Sequence, residues 1–134
     1  MAQEILVNEQ IEPGLELLKL VEQRLPIKVA FWMKEPDRDR PYLFIATDAA
    51  NDGNWRDAAA VVYELVDQVG GYGIDSTSVN VIGSDDPLVP ETLALRIDDP
   101  KRRTRALGSY RLGRTYADDL YVYPPLHPQP AAVA

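Results

Sequence analysis

Apolar residues recur at helical spacing at Leu17, Leu18, Val21 and Leu25, after Glu12-Pro13 and before Pro26. Proline is tolerated in the first helical turn and cannot continue a helix, so this spacing predicts an amphipathic, core-facing helix seeded at Glu12-Pro13 and ended by Pro26. The period then changes from 3.6 to 2. Ile27, Val29, Phe31 and Met33 alternate with Lys28, Ala30, Trp32 and Lys34, the pattern of a half-buried strand. After the polar link Glu35 to Pro41, Tyr42-Leu43-Phe44-Ile45-Ala46-Thr47 carries the β-branched and aromatic content of a second strand, paired with the first as an antiparallel hairpin.

A second helix follows the turn from Asp48 to Gly53. Asn54 can cap it, Ala58, Val61, Val62, Leu65 and Val69 form its stripe, and Gly70-Gly71 closes it. A third strand is expected from Thr77 to Ile82. Ser84-Asp85-Asp86-Pro87 then supplies capping side chains before a short helix from about Pro90 to Ile97. Tyr110-Arg111-Leu112, a break at Gly113 and Leu120-Tyr121-Val122-Tyr123 give one or two further strands. The order αββαβα followed by β or ββ predicts an α+β fold: a four- to five-stranded, mainly antiparallel sheet with helices packed on one face. Residues 1–123 are expected to form one domain, followed by the proline-rich tail 124–134.

Composition removes several kinds of chemistry. With no cysteine, there is no disulfide, thiolate metal site or cysteine nucleophile. The only histidine, His127, lies among the prolines of the tail, a poor place for catalysis. No stretch approaches the roughly 20 apolar residues of a membrane span, and the start of the chain lacks the basic lead of a secretory signal, so a cytoplasmic location is expected, with no membrane partner. The net charge is -7, but it is unevenly spread: residues 101–134 hold six of the 14 Lys and Arg and two of the 21 acids.

Three groups of residues are candidates for function. The paired acids, with Asp48 at a strand end foremost, raise a carboxylate-based, metal-dependent phosphoesterase, which needs carboxylates converging on a hard cation. Turn and capping chemistry explains the same acids without a metal, so no metal ligand, cofactor or catalytic residue is assigned. The run Lys101-Arg102-Arg103-Thr104-Arg105, continued by Arg111 and Arg114, suits phosphates or an acidic protein surface. The strand parities are expected to place Trp32, Tyr42 and Phe44 together, opposite Val29, Phe31 and Ile45. If Tyr121 and Tyr123 share that face, the aromatic platform is covered by another part of the chain, anchors a protein partner or second copy, or stacks unpaired bases.

Phe31-Trp32, Ile45-Ala46-Thr47 and Ser84-Asp85-Asp86-Pro87-Leu88, in this order, resemble a group of small uncharacterised bacterial proteins. The resemblance implies a bacterial α+β domain and no particular activity. The leading expectation is a noncatalytic, self-associating interaction or accessory module using Trp32, Tyr42, Phe44, Arg102, Arg103 and Arg105. The alternative is RNA or single-stranded DNA binding by the same aromatic face and the segment Lys101 to Arg114.

Overall fold

The computed structural model describes residues 2–38, 40–48, 55–69, 74, 78–95, 104–112 and 115–124. Helix α1 (Ala2–Glu22) is followed by β1 (Val29–Lys34), β2 (Tyr42–Thr47), α2 (Trp55–Val69), β3 (Val79–Gly83), α3 (Leu88–Leu95), β4 (Thr104–Leu112) and β5 (Thr115–Val122). The five strands form one sheet in the order β3-β2-β1-β5-β4. Three ladders are antiparallel, and β2 with β3 is parallel, joined by the α2 crossover. The α+β class and the mainly antiparallel sheet therefore stand as expected.

The helices do not all pack on one face. Leu17, Leu18 and Val21 of α1 and Val62, Leu65 and Val66 of α2 pack with Ala30, Trp32, Leu43, Ile45, Val79, Tyr121 and Tyr123. Val89 of α3 packs instead with Val29, Phe31, Met33, Phe44, Ala46, Leu120 and Val122. The reason is legible in β1, which is buried at every position. A strand apolar on both faces needs a layer on each side, so one covering layer of helices could not satisfy it.

Two boundaries move for local reasons. Pro13 lies inside α1 and does not start it. It removes one amide donor and crowds the carbonyl four residues earlier, yet the helix continues through it. Helix α3 begins two residues before the expected Pro90, because Asp86 Oδ1 accepts a 2.9 Å hydrogen bond from the Leu88 amide. That bond satisfies one of the free amides at the helix start.

One buried network ties α1 to the middle of the sheet. Trp32 Nε1 donates to Tyr123 Oη at 2.9 Å, and Tyr123 Oη donates to the Ile11 carbonyl at 2.7 Å. The helix comes this close because residue 14 is glycine: a Cβ there would overlap Tyr123 Oη and lie 3.1 Å from Trp32 Nε1. Tyr121 and Tyr123 meet edge to face with ring centroids 4.9 Å apart.

Candidate protein-interaction edge

The expected aromatic face is divided between the two layers. Cross-strand partners in a ladder share a face, and Phe31 pairs with Phe44 while Trp32 pairs with Leu43. Phe44 and Tyr42 therefore lie with Val29, Phe31 and Met33, and Trp32 lies on the other side with Ala30 and Ile45. The alternation within each strand stands, but the relative parity of two strands depends on their register, which the polar link does not announce. Phe31 and Phe44 stack with centroids 5.1 Å apart and planes within 4°.

Trp32 is fully buried, as are Tyr121 and Tyr123, so these rings form core and not a stacking platform. Tyr42 is half-buried at the hairpin end, with the guanidinium carbons of Arg38 and Arg40 at 5.3 and 5.5 Å from its ring centroid. Arg102 and Arg103 lie outside the described residues, with Lys101 and Arg114. Arg105 is on β4, opposite Tyr121 in the ladder, and the exposed Arg111 is opposite Tyr116. Of the expected residues, Trp32 therefore lies on one face of the sheet and Tyr42 and Phe44 on the other.

The acids also separate. Asp48 is exposed at the end of β2, Asp86 caps α3, and Asp118 Oδ2 lies 3.5 Å from the buried Lys34 Nζ. Asp119 is buried opposite Lys34 in the ladder. Asp39, Asp52, Asp98, Asp99 and His127 lie outside the described residues. Among the described residues, no three His, Cys, Asp or Glu side chains are grouped to hold a metal ion. No helix among them is long and apolar enough to cross a membrane.

A different surface stands out at the β3 edge. An open groove of about 360 Å³ runs between Phe44 of β2, Asn80, Val81, Ile82 and Gly83 of β3, Asp86 and Trp55. Trp55, the first residue of α2, is 42% exposed, and the Arg56 guanidinium carbon is 5.5 Å from its ring centroid. Trp55 lies one helical turn before the buried Ala58 and Ala59, whose stripe continues to Val62, yet Trp55 itself is exposed. This is the signal the sequence carried: a tryptophan on the apolar stripe, in the turn beyond it.

The two edges of the sheet differ in kind. Edge strands offer unpaired amides and carbonyls to other chains, and charges, prolines and bulges are the usual protection. β4 has Arg105 and Arg111, and its ladder shifts register between Leu107 and Tyr110, where Gly108-Ser109 stand opposite Asp118. β3 is Val-Asn-Val-Ile-Gly, with no charge, no proline and no shift in its ladder. Comparison with protein-family models, curated proteins and solved structures finds no match to this chain.

Proposed function

We propose that this chain is a noncatalytic interaction module that self-associates through the β3 edge. The observation that carries this reading is the contrast between a guarded β4 edge and an uncharged, unbulged β3 edge beside an exposed tryptophan. Two β3 strands meeting antiparallel about a two-fold axis would join the sheets into one. Each copy then presents the same patch to the other, as a closed symmetric dimer requires. Backbone hydrogen bonds supply the pairing, and Trp55 supplies the apolar anchor typical of a hot spot.

Sedimentation equilibrium across protein concentration tests this. Asn80 is an exposed residue of β3, so Asn80→Lys spares the core while adding a charge to the pairing edge of each copy. Trp55→Ala should weaken association by roughly 2 kcal/mol, about 30-fold in Kd. A wild-type chain that stays monomeric at every concentration, or a dimer that both substitutions leave intact, refutes the proposal.

A further inference from the structure

Resting on the reading of β3 as an open edge, we infer that this edge and the Trp55 groove also take an extended, arginine-bearing peptide of another protein, which displaces the second copy. The register shows where its side chains would go. Asn80 pairs with Phe44 and Ile82 with Ala46, so Asn80 and Ile82 share a face with Phe44, the face on which Val89 of α3 packs. Helix α3 lies against β1 and β4, and the groove is the part of that face beside β3. A strand added along β3 points every second side chain to this face, and so along the groove.

The end of the groove suits a guanidinium. The Asp86 amide donates to the Gly83 carbonyl at 3.0 Å, which holds Asp86 beside the end of β3, in the groove wall. Its Oδ1 accepts the Leu88 amide at 2.9 Å, and a carboxylate has a second oxygen for a further donor. Trp55 stands in the same wall, and a planar guanidinium stacks on an indole while its N–H groups reach a carboxylate. The chain makes such a contact itself: the Arg56 guanidinium carbon lies 5.5 Å from the Trp55 ring centroid. Asn80, exposed on the same face, adds an amide oxygen as a further acceptor.

Charge selects the sign of the partner. Thr47 pairs with Gly83, so β2 and β3 finish together, and the exposed Asp48 and Asp85 follow them closely. With Asp86 and the exposed Asp57 in the first turn of α2, these carboxylates stand against Arg56 and the exposed Lys28, whose amide donates to the Ala46 carbonyl. The edge strand itself is uncharged, so backbone pairing desolvates no ion, while the acids beyond it attract a basic segment and repel an acidic one. A second copy carries the same acids and a charge of -7, so a basic peptide is favoured over it on charge.

The test uses the full chain, isotope-labelled, and blocked peptides about seven residues long, within the usual length of a strand, in which valine alternates with arginine or with glutamate. The arginine peptide should shift the Trp55 indole N–H and the β3 amides, and leave the amides of Arg38 and Tyr42, at the other end of the sheet, in place. In sedimentation it should lower the dimer fraction. The glutamate peptide should bind at least about tenfold more weakly. Asp86→Asn, which keeps the acceptor for the Leu88 amide, should lower affinity for the arginine peptide about tenfold. Raising salt should weaken arginine-peptide binding while it tightens self-association. Equal affinities for the two peptides, or shifts that leave Trp55 untouched, overturn the inference. So does a dimer that the arginine peptide does not dissociate, an outcome that leaves self-association standing. A chain that binds the arginine peptide at Trp55 yet never dimerises refutes self-association and leaves the peptide site in place, so the two failures are distinguishable.

Discussion

Gly14→Ala sets two opposing effects against each other, and the structure says which wins. In an exposed helix the substitution would stabilise by about 1 kcal/mol, because alanine loses less backbone freedom than glycine. Here the new Cβ overlaps Tyr123 Oη and crowds Trp32 Nε1 at 3.1 Å. Neither neighbour can move freely, since both belong to the buried chain from Trp32 through Tyr123 to the Ile11 carbonyl. Overpacking of this kind costs about 1 to 3 kcal/mol, and each hydrogen bond lost to the displacement removes roughly another 1 kcal/mol. The net expectation is a destabilisation of about 2 to 3 kcal/mol, read by urea unfolding followed by circular dichroism. Tyr123→Phe removes the oxygen that the Cβ would strike. In that background the cost of Gly14→Ala should fall below about 1 kcal/mol, a coupling that a double-mutant cycle measures directly. If Gly14→Ala stabilises the otherwise unchanged chain, the close approach of α1 to the sheet is wrong.

Two further outcomes are expected. Asp86→Ala should cost about 1 kcal/mol in thermal or urea unfolding through loss of the α3 cap, while Asp86→Asn, which keeps the acceptor, should cost much less; equal effects would deny the capping role. Each copy carries a charge of -7, so raising salt should screen repulsion between copies and tighten self-association, measured by sedimentation from 0.05 to 0.5 M salt as roughly chosen limits around the screening range. Binding to nucleic acid has the opposite sign, weakening as salt rises, and a dimer that dissociates with salt would count against an uncharged edge contact.

Much of the fold was legible because periodicity is local. The alternation from Ile27 to Lys34 and the stripe from Ala58 to Leu65 locate a strand and a helix without any knowledge of their neighbours. The site was less legible because it depends on relations between elements. Trp32 looks like an anchor until Tyr123, 91 residues away in sequence, supplies its hydrogen-bond partner and α1 covers it. Phe44 and Trp32 lie on opposite faces because the register between β1 and β2, which alternation within one strand does not encode, decides which positions meet. The expected start of the first helix at Glu12-Pro13 failed for a related reason: proline is costly inside a helix, but tertiary packing around Gly14 and Ile11 outweighs a local preference.

The strand order was encoded in a subtler form. β1 is buried throughout and β2 nearly so, which suits interior positions, and the Leu120-Tyr121-Val122 end of β5 is buried where it lies against β1. β4 carries two arginines, which are tolerated most easily where a strand borders solvent. On that ranking β3, with exposed Asn80 and half-buried Val81 and Ile82, also belongs at an edge, and the sheet puts it there. Its composition nevertheless lacks every feature that keeps an edge apart from other chains. An edge strand by exposure with an interior strand's chemistry is what a surface covered part of the time requires: enough polarity at Asn80 to stand in water, and no charge to desolvate when a partner arrives.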